Sequence, residues 1–250
     1  MEAYASGSVD AVSMLNVDQR TVARARSDYG DELVEMPRPS ILYLMFRSDR
    51  SPFDDVRVRK AFVHAVDREA LAREVFQDYR LPATGGFVPP GMPGHTPGIG
   101  LEYSAEKARR LLDEAGYPGG HGFPSATWLH PSRTRGERVI PFLRHAWQGS
   151  LGVDVESRSL EWGEFLEQLG SDPADMTVVS WGADFPDPAG MLRGTFHSKE
   201  GVSNPNWEDA RFDALVEEAE RIAFSRWFRQ RFGVSPSDLV SEQVVTMPLT

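Results

Sequence analysis

The residues best suited to chemistry stand together at 181–188, reading Trp181-Gly182-Ala183-Asp184-Phe185-Pro186-Asp187-Pro188. They come after an apolar run at 176–181 that has the length and composition of a strand. Gly182 lets another backbone approach closely, and Pro186 and Pro188 stiffen the chain beyond it. Asp184 therefore falls at the mouth of a strand, beside an indole and the Phe185 ring. A carboxylate in such a setting suits an ammonium group, because a charge-assisted hydrogen bond is strong where water is excluded. A half-buried carboxylate lacking that partner is expensive. The commoner role of an aspartate after a strand is to cap a turn, so residue type alone leaves both roles open for Asp184. Trp181 reads first as core and second as a pocket wall. Phe185 reads as a shield over an ion pair.

Other chemistries find little support. The chain has no cysteine, which excludes disulfides, thiol catalysis and thiolate metal sites. His64, His95, His121, His130, His145 and His197 show no spacing that builds a zinc or nickel site, and no cofactor is expected. There is no nucleophile elbow, P-loop or dinucleotide fingerprint. Asp184 and Asp187 alone, with no nucleophile near them in sequence, are weak grounds for acid/base catalysis. A net charge of -10 argues against a nucleic-acid surface, which needs net Lys and Arg to neutralise phosphates. With 250 residues, 40% of them hydrophobic, the chain can bury a core in one or two domains. No apolar run approaches the roughly 20 residues of a membrane helix.

The elements that must position 181–188 are legible in part. Residues 126–130 read as a strand, 137–150 as a helix with Val139, Phe142, Leu143 and Ala146 inward, and 153–159 as an alternating strand. A short helix comes next at 162–169, then the strand 176–181. Strand–helix–strand–helix–strand with short connections implies parallel pairing and right-handed crossovers. Ligands of such sheets bind beyond the carboxyl ends of the strands, which is where 181–188 lies. Upstream, Asp54 or Asp55 caps a helix whose Val58, Ala61, Phe62 and Ala65 share one face, and Asp67 caps the next. The run 41–46 (ILYLMF) has the pattern of a buried strand. Ser104 caps the clearest helix, with Ala108, Leu111, Leu112 and Ala115 as its stripe and Gly116 as its stop. The Gly- and Pro-rich stretch 82–100 reads as a surface loop and not a helix. Near the start, a short helix, the Val9–Val12 stretch and a helix about 19–26 are expected. Residues 206–222 read as an acidic helix with Phe212, Leu215, Val216, Ala219 and Ile222 on one face.

Several of these segments carry a family's wording. Pro52, Phe53, Asp55, Val56, Arg57, Val58, Arg59, Ala61, Ala65, Asp67, Arg68 and Glu69 match a Pro-Phe-x-Asp-Val-Arg-Val-Arg run and its Ala-x-Asp-Arg-Glu ending. That pattern resembles the family 5 extracellular solute-binding proteins of ABC importers. Tyr4 to Val12, Tyr103 to Pro118, Leu151 to Val155, 175–181 and the tail 244–249 resemble the same family in the right order. In its peptide-binding members the aspartate of a Trp-x-x-Asp-Tyr-x-Asp-Pro motif pairs with the peptide's α-amino group. Asp184 matches that aspartate, Phe185 replaces the tyrosine, and Asp187-Pro188 is retained.

The resemblance implies an α/β lobe of the type II periplasmic-binding-protein kind, with a largely parallel sheet flanked by helices and short segments of the other lobe. It divides the chain into 1–40 (first lobe and crossover), 41–240 (ligand-binding lobe) and 241–250 (return to the first lobe). It favours an ordered path for 82–100. It implies a monomeric, non-enzymatic protein that captures a small peptide or related solute and hands it to a membrane permease outside the cytoplasm, soluble or lipid-anchored. Trp181, Gly182, Asp184 and Phe185 are the expected ligand contacts. Full members are about twice as long, so the chain is expected to be a C-terminal half. Two alternatives remain: a solute-sensing module of a regulatory protein, and a carboxylate-dependent hydrolase. One stretch stands apart. Residues 224–239 (FSRWFRQRFGVSPSDL) resemble the end of the second helix-turn-helix of AraC-type regulators, over too short a span to form such a domain. The basic group Arg221, Arg226, Arg229 and Arg231 reads as a solvated helix face.

Overall fold

Among the described residues four strands, joined largely through helices, order the larger part of the molecule. The computed structural model describes residues 1–14, 17, 19–34, 39–77, 79–132, 135–172, 174–183, 187–201 and 206–232. The helices are α1 (Glu2–Ala5), α2 (Gln19–Tyr29), α3 (Val56–His64), α4 (Arg68–Phe76), α5 (Ala105–Glu114), α6 (Ile140–Leu151), α7 (Trp162–Ser171), α8 (Pro188–Phe196) and α9 (Ala210–Phe232). The strands are β1 (Ser40–Phe46), β2 (Thr127–Pro131), β3 (Glu156–Leu160) and β4 (Met176–Gly182). Residues Met1–Arg38 form one compact unit and the chain from Pro39 onward another. In the first, the Tyr4 hydroxyl donates to the Glu32 carboxylate and the Tyr4 ring meets Tyr29 edge-on at 5.3 Å. Residues 9–12 have no regular structure and lie exposed.

In the larger unit the sheet order is β1-β4-β2-β3. β2 runs parallel to both β3 and β4, and β1 runs antiparallel to β4 with Tyr43 opposite Val179 and Ile41 opposite Trp181. The expected parallel unit is therefore present, in a mixed sheet whose β1 reverses direction. The run 41–46 differs from its expected burial. Within β1 only Met45 is buried, because among the described residues the strand pairs with β4 alone and lies at the sheet edge.

Side-chain parity divides the core. Leu42, Leu44, Phe46, Trp128, Met176 and Val178 point to one face, where α3, α5 and α6 cover them. Tyr43, Met45, Leu129 and Val179 point to the other, where Phe165 and Leu169 of α7 pack. Right-handed crossovers require this split, since β2→β3 and β3→β4 run in opposite directions across the sheet. The caps on the first face are those expected. Asp55 accepts from the Arg57 amide at 2.7 Å, Asp67 from Ala70 at 2.9 Å and Ser104 from Lys107 at 3.2 Å. Val58, Ala61, Phe62 and Ala65 are all buried. Helix α6 is turned relative to expectation: Ile140, Leu143, Trp147 and Leu151 are buried, while Phe142 and Ala146 are only partly so. The Trp147 indole decides the rotation by donating to the Phe62 carbonyl at 3.1 Å inside the core.

Helix α9 starts later than expected and runs further. Val216 is its one buried residue among those described, while Leu215 is 57% and Ile222 42% exposed. The five expected apolar positions thus do not form a single buried face. The tail 241–250 and residues 233–239 of the AraC-like stretch lie outside the described residues.

Candidate functional site

The connections after β2 and β4 leave on opposite faces of the sheet. β2 leads to α6 among the residues of the larger core, while β4 leads to α8 on the Tyr43 and Trp181 side. Between the carboxyl ends of such strands lies the crevice in which open α/β sheets bind ligands. β4 ends in Trp181 and Gly182, both half-buried, at the carboxyl edge of the sheet. The Ala183 amide donates to the Pro39 carbonyl at 2.8 Å, so β4 stays tied to the neighbouring strand one residue beyond its end. Asp184 and Phe185 lie outside the described residues.

The Asp187 carboxylate accepts from the Ala189 amide at 2.8 Å and caps α8, with Pro188 in the first turn. This helix is absent from the sequence reading, although Asp followed by Pro is the ordinary start signal. The cap commits one oxygen of Asp187 to the backbone, which weakens its casting as one half of an acid/base pair with Asp184.

Around Trp181 the same face collects aromatic rings. Tyr43 meets Phe87 at 5.0 Å, and Phe87 meets Phe196 of α8 at 4.7 Å. Phe87 belongs to the Gly- and Pro-rich stretch. The Gly100 amide closes it onto the Thr84 carbonyl at 2.9 Å, and Met92 is buried. His95 shares a hydrogen bond with the Val88 carbonyl at 2.7 Å, and Gly85 leaves the room its imidazole fills. At the carboxyl end of β3, Trp162 opens α7, stacks on Phe165 at 5.8 Å and is 58% exposed. The Ser132 hydroxyl, just past β2, donates to Glu161 at 2.8 Å and ties the two neighbouring strand ends together. Trp162 thus joins Trp181 at the carboxyl edge. Sequence spacing gave no sign of it.

Behind α8 stands a group of charges. Arg193 bonds Glu200 at 2.7 Å and Glu220 of α9 at 2.8 Å. The Glu200 carboxylate holds the guanidinium even more firmly charged than usual, and Arg193 in turn holds Glu200 below the usual carboxylate range. The buried His197 ring faces Glu217 at 3.3 Å and accepts from the Lys199 amide on its Nδ1. These contacts fasten α8 to α9. Among the described residues no group of three His, Asp or Glu side chains is placed to hold a metal ion, and no helix is long and apolar enough to cross a membrane.

Residues 1–203 match the model of the bacterial extracellular solute-binding proteins, family 5 middle region. The chain belongs to this family. A dipeptide-binding protein of Escherichia coli is 29% identical over 206 residues, covering 79% of this chain and 38% of that protein. Heme-binding protein A of Haemophilus influenzae is 28% identical over 222 residues, covering 86% of this chain and 39% of its own length. Among solved structures, a dipeptide-binding protein from Pseudoalteromonas in complex with Met-Leu superposes with a TM-score of 0.71 at 25% identity, over 86% of this chain and 43% of that one. The chain therefore spans less than half the length of these relatives. Its fold is that of the type II periplasmic binding proteins. Family members and structural neighbours are solute-binding proteins, periplasmic or extracellular.

Proposed function

We propose that this chain supplies one ligand-binding lobe, residues 41–240, of the substrate-binding component of an ABC importer. In this reading it captures peptides or similar small solutes and delivers them to a membrane permease. Residues 1–40 and 241–250 belong to the other lobe, and the working protein is a monomer without enzymatic activity or nucleic-acid partner. It acts in the periplasm or outside the cell, soluble or held by a lipid anchor. The observation that carries the reading is the placement of Trp181 and Gly182 at the carboxyl end of β4, where the connections diverge. Membership in a family of solute-binding proteins supports it, as do the peptide-binding relatives.

Asp184, two residues past Gly182, is the proposed anchor for the ligand's ammonium group. Trp181, Phe185 and Gly182 form the surround that keeps water from the ion pair. Closure of two lobes about the solute supplies the rest of the affinity by burying it. A lobe by itself offers half of that surface, so this chain alone binds weakly or undetectably.

The test is a thermal-shift titration with di- to pentapeptide pools at pH 7, on this chain and on a full-length family protein that contains it. A ligand that binds only the folded state raises Tm by mass action. The expected result is a shift in the longer protein that disappears with Asp184→Ala, and none in this chain. Absence of any shift in the longer protein overturns the peptide reading. A shift that survives Asp184→Ala overturns the anchor.

A further inference from the structure

The helical glycines of this chain are of two kinds. Gly149 in α6, and Gly163 and Gly170 in α7, have open space where a Cβ would stand. Gly194 in α8 does not: a Cβ there would lie 2.7 Å from Cζ2 and 3.3 Å from Cη2 of Trp181. No positive φ calls for glycine at 194, and glycine is a poor helix former. The absent side chain is therefore explained by what occupies its place.

We propose that Gly194 is a positioning residue for Trp181, a bare seat that receives the six-membered ring of the indole and so sets where this wall of the ligand crevice stands. Neither partner yields easily. The indole is a rigid plate carried by β4, which is paired with β1 and β2. α8 is fixed at its start by the Asp187 cap, at its end by Phe196 against Phe87, and along its back by Arg193 bonded to Glu200 and Glu220. One added methyl group must then push the ring outward by roughly 1 Å to restore ordinary carbon–carbon separation. The seat itself stands on the geometry of α8 and β4. Its consequence for ligands rests on the function proposed above.

The test separates the two. The chain is labelled with 5-fluorotryptophan, and the resonance of Trp181 is assigned with Trp181→Phe among the six tryptophans. Gly194→Ala is expected to move that resonance and leave the other five in place, whereas Gly149→Ala moves none. Gly194→Ala also lowers Tm by about 5 °C through overpacking. In the Trp181→Phe background the same substitution costs little, because phenylalanine lacks the atoms that the Cβ would meet, and a double-mutant cycle reads this coupling. A Trp181 resonance that does not move, or additive Tm losses, overturns the seat. If Gly194→Ala alone fails to fold, the double variant must fold, and failure of both overturns it as well. In a full-length protein that binds peptides, Gly194→Ala is expected to weaken peptides with bulky side chains more than those with small ones. Equal weakening removes the role in specificity. Loss of peptide binding in every version sinks the transport reading while the fluorine result still stands.

Discussion

The two faces of the sheet differ in depth. On the first, Trp128, Met176 and Val178 meet three helices, and Phe62 meets Phe53 edge-on at 5.2 Å and Trp147 at a tilt at 5.1 Å. On the second, the fully buried cluster is Met45, Leu129, Phe165 and Leu169, and beyond it lie half-buried rings and the exposed Trp162. The carboxyl end of β4 opens on the second. The first face is covered by helices, and the second leaves aromatic surface partly uncovered. Loss of a side chain should therefore show up as lost stability on the first face and as altered recognition on the second.

Trp147→Ala tests the deep face most severely. It removes a buried indole and leaves the Phe62 carbonyl without its donor, so unfolding free energy should fall by about 4 kcal/mol in urea titration. For a domain of ordinary stability that is a large share of the total. Phe165→Ala on the shallow face should cost less, about 3 kcal/mol, since its few neighbours can settle inward. It should also quench or shift the emission of the stacked Trp162. Equal costs for the two variants would break the contrast. Asp187→Ala removes the α8 cap and should cost about 1 kcal/mol, with the fluorine signal of Trp181 moving more than that of Trp147.

The smallest effect concerns acid. Asp49 bonds Arg47 at 2.6 Å and receives the Asn206 amide at 2.9 Å, and the hydrogen bond from Arg47 holds its pKa down at about 2, from 3.8. The bonded carboxylate thus favours the folded state above about pH 4, and that contribution is lost as pH falls towards 2. The Tm difference between the native chain and Asp49→Asn should be small, since the carboxylate is partly solvated, and should close over that range. A difference that widens on acidification would contradict the assignment.

What the sequence disclosed was local. Caps at Asp55, Asp67 and Ser104, the stripe of α3 and the parallel unit of β2, β3 and β4 arise from spacing, because each signal lies within a few residues of its effect. Family wording added the identity of the fold. The edge position of β1 was hidden, since a continuous apolar run looks the same in the middle of a sheet as at its border. The turn of α6 was missed because Trp147 chose its partner, Phe62, from 85 residues away. Helix α8 was overlooked despite a legible cap. Of the four expected ligand contacts, Trp181 and Gly182 stand at the predicted strand end. What Gly194 faces is invisible in sequence, because a glycine carries no mark of what takes its place.

The β3 strand has one further consequence, for behaviour at high concentration. It forms a border of the sheet among the described residues, and Glu156, Ser157, Arg158 and Ser159 are exposed on both of its sides. A foreign strand adding there would gain backbone hydrogen bonds yet cover no oily surface, and would strip water from a carboxylate and a guanidinium. This margin is therefore a poor template for fibre growth, even though among the described residues the strand is paired on its β2 side alone.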